Sequence, residues 1–344
     1  MKTIYAITDY KGHFGSKWQA IPYRSGYDLG ILSSKFREYG YQIKFVKPNE
    51  IIFDKKYWEQ KKVLLTSSEE PELNYKNYLD DIAFGLKHCN ARLIPSIKFL
   101  QTHENKIKSI IIQNMVLDNS LRILTYKPFG NYEELKVWLK QGAQKYPYIL
   151  KKPIGSKGSG VYLVRNEVQL KRTARKISST FKLKRWLKEK IRSIIHKGYT
   201  MNSMYSKPFM IQEFIPNLSC DWKVLIYGSH IYILKRRIKK DDFRASGSGH
   251  GYKSGESSEF PLDYLETLYQ FQIKLETPNI SIDFGYDGSN GFIFEFQALY
   301  FGTSTQFKSS DYYKRTNGTW ELKKNNMSQE SIYAKSIVEF IETK

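Results

Sequence analysis

Tyr148-Ile-Leu-Lys-Lys-Pro-Ile-Gly-Ser-Lys-Gly-Ser-Gly-Val-Tyr-Leu-Val164 is an apolar run that ends in two lysines and a proline. A six-residue loop with three glycines, Gly155 to Gly160, follows, and then a second apolar run. The pattern predicts strand, glycine-rich loop, strand. Glycine lets a backbone approach a ligand closely, and successive N–H groups in a turn form an anion-binding concavity. Lys151, Lys152 and Lys157 bring positive charge to the same place. The chemistry that suits such a loop is holding the phosphates of a nucleotide. From this stretch alone, a glycine-rich hairpin without a ligand reads equally well.

Two familiar phosphate loops do not fit. A Walker A loop needs Lys and then Ser or Thr directly after the second glycine of G-x-x-x-x-G. Gly155 and Gly160 have that spacing, but Val161 and Tyr162 follow. The dinucleotide fingerprint G-x-G-x-x-G needs a third glycine where Leu163 stands, and it should open a helix.

The chain has 344 residues, 41% hydrophobic and 15% aromatic, enough for two or three folded domains. Its two cysteines, Cys89 and Cys220, lie in no metal-ligand spacing, which points to a reducing compartment. The N-terminal apolar stretch is too short for a signal peptide, and no run reaches the ~18 apolar residues of a membrane span. A cytoplasmic protein is the expectation. Net charge is +21 and unevenly spread. Between Arg165 and Met210 there are 13 Lys/Arg against two acids, Glu167 and Glu189, a net +11. Within that segment Leu183, Trp186, Leu187, Ile191, Ile194 and Ile195 recur at helical spacing among basic residues. The reading is either a surface helix packed on its apolar side or a site for an anionic polymer, substrate or lipid surface.

The first hundred residues alternate strand and helix signals. Strands are expected at Ile4–Ile7, Tyr41–Val46 and Val63–Thr66, with helices at Tyr27–Tyr39 and Tyr75–His88. This β-α-β rhythm predicts an open parallel sheet. Further strands are expected at Phe209–Phe214, across Trp222–Arg236 with a turn at Gly228-Ser229, and at Ile280–Phe284 and Phe292–Phe296. The Gly/Ser-rich stretch from Ala245 to Gly255, which contains His250, has the composition of a loop.

Ile211-Gln-Glu-Phe-Ile-Pro216, Cys220-Asp-Trp-Lys-Val-Leu-Ile226, Leu234-Lys-Arg-Arg-Ile238, Asp241-Asp-Phe-Arg244 and Ser281-Ile-Asp-Phe-Gly-Tyr-Asp287 follow the glycine loop, with Phe292-Ile-Phe-Glu-Phe-Gln297 beyond. In this order the set resembles the ATP-grasp superfamily, nearest its glutathione-synthetase-like branch, which includes ribosomal-protein glutamate ligases. The resemblance spans roughly Asn105 to Thr305. It implies an α/β (α+β) fold: an N-terminal Rossmann-like pre-ATP-grasp domain over residues 1–100, then a two-subdomain ATP-grasp fold. The N-terminal subdomain would cover 101–210, with a basic helical insertion at about 165–207, and the C-terminal subdomain with the metal site 211–344.

Site residues follow from the resemblance. Lys106, in Asn105-Lys106, matches a lysine that reaches the phosphates, with Lys108 as a rival. Lys152 before Pro153 matches the lysine entering the glycine loop and is better supported than Lys151 or Lys157. Gly155, Ser156, Lys157, Gly158, Ser159 and Gly160 match the flap over the phosphates. Gln212, Glu213, Phe214 and Ile215 match the hinge at the adenine edge. Asp221 and Lys223 match an Asp-x-Arg pattern, although lysine lacks the planar fork of arginine. Asp283, Glu295 and Gln297 match an Asp followed by Glu-x-Asn, with Gln one methylene longer and Asp287 as a rival to Asp283. Arg237, with Arg236 as its alternative, and Arg244 match arginines that serve the transferred phosphoryl group and the carboxylate substrate.

The cofactors implied are ATP and Mg2+, two ions, with Mn2+ as a substitute. The activity implied is a carboxylate–amine ligase acting through an acyl phosphate. Its carboxylate and amine are not identified by any residue. The basic segment favours an acidic acceptor, a uronic-acid polymer or an acidic peptide. Two other readings stay open: an ATP-grasp kinase acting on a hydroxyl, and a basic nucleic-acid-binding protein without ATP chemistry. No G-x-S-x-G or Cys/His nucleophile motif is present, and the six histidines form no metal pattern.

Overall fold

Alternation along the first strand sets the N-terminal layering. The computed structural model describes the whole chain except Trp18, Ala143, Ser156, Lys157, Ser159, residues 239–251 and Lys344. In it, Lys2–Ile7 is flanked by parallel strands Tyr41–Val46 and Lys62–Leu64, and Arg92–Ile94 pairs in parallel with the latter. Side chains of a strand point alternately to its two faces. Ile4 and Ala6 accordingly pack with Leu32 and Phe36 of helix Leu29–Glu38 and with Ala334, Ile337 and Ile341 of helix Gln329–Glu342. Tyr5 and Ile7 pack on the opposite side with Leu79, Ile82 and Leu86 of helix Asn74–His88. The parallel sheet expected from the β-α-β rhythm is therefore present, with one more short strand, Arg92–Ile94, than the sequence signalled.

Contacts divide the chain into two compact units. One comprises Met1–His103, Lys108–Ile123 and Leu218–Lys344, the other Glu104–Ile107 and Leu124–Asn217. The larger unit also holds a seven-stranded sheet in which all pairings are antiparallel. At its centre lie Cys220–Tyr227 and His230–Arg237, which turn at Gly228-Ser229 as expected. Asn279–Tyr286 and Gly291–Gln297 lie to one side. To the other lies the hairpin Asp311–Thr316/Thr319–Lys324, for which no strand was expected. Trp222, Val224, Ile226, Ile282, Phe284, Ile293 and Phe296 form its core with Leu265, Leu268 and Phe271 of helix Tyr264–Leu275.

The smaller unit is a four-stranded antiparallel sheet in the order Tyr126–Phe129, Phe209–Glu213, Tyr148–Lys151, Val161–Val164. One face is closed by helices Tyr132–Leu139 and Glu167–Ser178, whose Leu135, Leu170, Ala174 and Ile177 pack with Phe129, Leu150, Phe209 and Ile211. The first half of the basic segment is thus a core element of this unit. Its second half forms helix Leu183–Ile195. No described helix is long and apolar enough to cross a membrane.

Candidate functional site

In the smaller unit, the opening stretch forms the strand–loop–strand that its glycines predict. Tyr148–Lys151 pairs antiparallel with Val161–Val164, and the Lys152 N–H donates to the Gly160 carbonyl at 2.9 Å. Gly155, Gly158 and Gly160 have φ of 140°, 74° and 77°, a region that favours glycine. A Cβ on Gly160 would lie 3.1 Å from the Lys152 stem, so this glycine lets the lysine cross the loop closely. The Lys106 ammonium donates to the Gly155 carbonyl at 2.5 Å, and the Lys106 N–H donates to the Pro153 carbonyl at 2.9 Å. The Gly155 N–H donates to the Glu104 carboxylate at 3.3 Å. Lys106, Lys152, Gly155 and Gly160 are therefore brought together. Glu104, a further partner of the loop, carries no sequence signal. Ser156, Lys157 and Ser159 lie outside the described residues.

The sheet face turned away from the helices carries Gln212. Gln212 stands opposite Ile149, and Met210 opposite Lys151. The Gln212 side chain is buried, and its amide nitrogen has no hydrogen-bond partner among the described residues. A buried donor left unpaired is costly, and an aromatic base edge with acceptors would satisfy it. Glu213 is tied to Thr125 twice: its N–H donates to the Thr125 carbonyl, and its carboxylate accepts from the Thr125 N–H, both at 2.9 Å. Phe214 and Ile215 continue the chain past the strand end. Lys151, ranked below Lys152 from sequence, is buried on the same face as Gln212, whereas Lys152 is exposed.

In the larger unit, a row of charged side chains crosses four strands on one face. Asp283 stands opposite Glu295 on one neighbour and opposite Lys223 on the other. Gln297 shares the face of Glu295, two residues on. A bulge follows Asp283, after which Phe284 pairs with Ile293. The extra residue lets Ile293 and Phe296, three apart, both reach the core while Glu295 stays on the charged face. Lys223 donates to Asp283 Oδ1 at 2.9 Å, and Arg236 Nη2 lies 3.2 Å from the same oxygen. Arg236 also grips Asp221 through two bonds of 2.7 and 2.6 Å.

Electrostatics favour the charged forms of Asp283 and Arg236. Burial alone would raise the Asp283 carboxyl, but the Arg236 guanidinium and the Lys223 ammonium outweigh it and hold the group well below the ordinary carboxylate range. Burial would likewise lower Arg236, and Asp283 and Asp221 reverse that. Burial pushes the Asp221 carboxyl up, against the pull of Arg236.

The two arginine alternatives separate by strand parity. Arg236 lies on the charged face, opposite Asp221. Arg237 points to the other face and is exposed, so the structure does not bring it to Asp283. Asp287 is also set apart. Its Oδ1 accepts from the Ser289 and Asn290 N–H groups at 3.0 and 2.8 Å, which makes it the turn residue of the hairpin. Arg244 and His250 lie outside the described residues. Sequence reasoning passed over Ser281, two residues before Asp283 and opposite Gln297, whose hydroxyl is buried without a partner among the described residues. Its period-2 spacing from Asp283 was the available signal.

Asp283, Glu295 and Gln297 offer only oxygen donors from adjacent strands of one face. That donor set fits magnesium, which takes oxygen ligands. Both cation contacts of Asp283 run through Oδ1, and Oδ2 takes part in neither.

No protein-family model matches the sequence, and no curated protein matches it significantly. Solved structures match nearly all of it. A Chryseobacterium gregarium RiPP-associated ATP-grasp ligase, in complex with ADP and a leader and core peptide, is 11% identical with a TM-score of 0.55, over 100% of this chain and 98% of that one. A D-cycloserine synthetase is 8% identical with a TM-score of 0.56, over 98% and 99%. A RimK-domain ATP-grasp protein from Sphaerobacter thermophilus is 11% identical with a TM-score of 0.50, over 98% and 99%.

Proposed function

We propose that this chain, which has the ATP-grasp fold, is an ATP- and Mg2+-dependent ligase that joins a carboxylate to an amine and forms ADP. The observation that carries the reading is the pairing of Asp283 with Glu295, with Gln297 on the same face. The side-chain oxygens of these three residues are the ligand type that magnesium takes. When bound there, magnesium neutralises phosphate charge and orients the transferred phosphoryl group. Lys223 and Arg236 keep Asp283 ionised and in place. Lys106, Lys152 and the N–H groups of the glycine loop hold phosphate oxygens. Lys151 and the Gln212 amide face the nucleotide, and the chain at Glu213, Phe214 and Ile215 presents backbone groups to the adenine edge.

The chemistry asks little covalent work of the protein. A substrate carboxylate oxygen attacks the terminal phosphorus of ATP, ADP leaves, and an acyl phosphate forms. The amine then attacks the acyl carbon and phosphate leaves. Positioning and charge neutralisation suffice. Asp221 and Lys223 are assigned to nucleotide binding. We assign the orienting role to Arg236 rather than Arg237, and we retain Arg244 as the candidate for the substrate carboxylate.

For the acceptor we propose an acidic peptide or a uronic-acid-containing glycan. The charge between Arg165 and Met210 supports it, and the Chryseobacterium neighbour holds a peptide. ADP release against pooled carboxylates and amines tests the activity. Hydroxylamine added to the turnover mixture should yield a hydroxamate. A stable phosphate ester instead of a hydroxamate would establish a kinase and overturn the ligase reading.

A further inference from the structure

Helix Leu183–Ile195 sits on its unit the wrong way round for an ordinary surface helix. Such helices bury an apolar stripe and expose a polar one. Here Glu189, the helix's sole acid, is 3% exposed. Its carboxylate accepts from the Tyr199 hydroxyl at 2.7 Å, the Asn202 N–H at 2.8 Å and Arg192 Nη1 at 3.0 Å. Arg185, on the same side, donates to Thr180 Oγ1 and the Ser203 carbonyl at 3.4 and 3.3 Å. Trp186 is half-buried, but the other apolar residues face out: Leu183 is 61% exposed, Leu187 47%, Ile191 55% and Ile194 82%. The sequence-based alternative of a helix packed on its apolar side is thereby excluded.

We propose that this exposed stripe seats the protein on an anionic lipid surface. At 3.6 residues per turn, Leu183, Leu187, Ile191 and Ile194 form one ridge. Lys190 runs along one edge, and Lys184 and Lys188 along the other. All three are exposed, as are Lys182 and Lys197 at the ends. Lysine stems beside an apolar ridge place their ammonium groups at headgroup level while the ridge enters the acyl boundary. With Glu189 buried, no carboxylate of this helix faces outward.

The same features disfavour other occupants. A second copy would set lysines against lysines. A soluble acidic acceptor can pair with basic side chains of this segment, but it would leave the apolar ridge in water, so it is not the occupant of the ridge. A partner protein would need a groove to take a convex ridge, whereas a lipid surface yields to one. The proposal is independent of the ATP reading and needs no nucleotide.

The test is co-sedimentation of the full chain with vesicles of phosphatidylcholine alone, or mixed with phosphatidylglycerol. Binding is expected only to the mixed vesicles, weakening as salt rises. The double variant Leu187→Asp/Ile191→Asp should lower the vesicle affinity about tenfold or more. The triple variant Lys184→Gln/Lys188→Gln/Lys190→Gln should remove the preference for anionic vesicles while circular dichroism stays unchanged. These positions are exposed, so the fold is not at stake. Four outcomes would overturn the proposal: no sedimentation with either vesicle, equal sedimentation with both, a dimer in light scattering that the Asp variant splits, or capture by polyglutamate without vesicle binding.

Discussion

Asp283 and Glu295 stand directly opposite one another across an antiparallel pair, and the bulge that follows Asp283 keeps them so. Two carboxylates facing each other repel unless cations intervene. Lys223 and Arg236 supply such charge through Asp283 Oδ1.

Glu295→Ala should therefore reduce ATP turnover by about a hundredfold or more, the scale of losing one preorganised electrostatic group. Its side chain is only partly buried, so the melting temperature should change little. A turnover assay beside a thermal melt checks both, and undiminished turnover would remove Glu295 from the metal set.

Arg236→Met and Arg237→Met should separate cleanly. The first leaves Asp221 and Asp283 without their shared guanidinium in a largely buried setting, a loss on the order of 3–5 kcal/mol. The second alters an exposed residue on the other face and should stay within about 0.5 kcal/mol. Urea denaturation of the two variants gives the comparison, and equal effects would contradict the strand parity described above.

Gly160→Val should weaken nucleotide binding without unfolding the protein. The residue sits at φ 77°, where a branched side chain is strained by about 1–2 kcal/mol. Its added carbons would also press on the Lys152 stem, 3.1 Å away. Titration with ATP should show a raised dissociation constant, with Lys152→Met showing a comparable rise.

Acid should loosen the basic helix. Hydrogen bonds from the Tyr199 hydroxyl and the Asn202 N–H bring the Glu189 carboxyl down from 4.5 to about 2. A depressed carboxyl stabilises the fold fully above its unfolded value, and the contribution fades as pH falls from about 4.5 toward 2. Hydrogen-exchange protection across residues 183–202 should accordingly drop in that window. Glu189→Gln should show low protection at neutral pH already, with the acid-dependent step gone.

Much of the fold was legible because it rests on local patterns. Period-2 apolar runs marked the strands around Asp283 and Glu295, and the glycine spacing marked the loop after Lys152. Short strands such as Arg92–Ile94 and Tyr126–Phe129 were not legible, because three or four residues carry too little periodicity. Nor was the hairpin Asp311–Thr316/Thr319–Lys324, whose second strand is mostly exposed and polar. That strand pairs with Asp311–Thr316, which is held in turn by the sequence-distant His230–Arg237.

The sequence by itself determined the order of the motifs, the oxygen-donor identities at 283, 295 and 297, and the positive φ that glycines at 155, 158 and 160 admit. Tertiary structure alone decided between residues that composition leaves equivalent. Strand register put Arg236, not Arg237, beside Asp283, and turn geometry gave Asp287 to the hairpin. The basic helix shows the limit most plainly. Its amphipathicity was written in the spacing of Leu183, Leu187 and Ile191, but which face turned inward was not. That was settled by Tyr199, Arg192 and the Asn202 backbone converging on one carboxylate, since a buried Glu189 satisfied by three donors holds the helix polar side down.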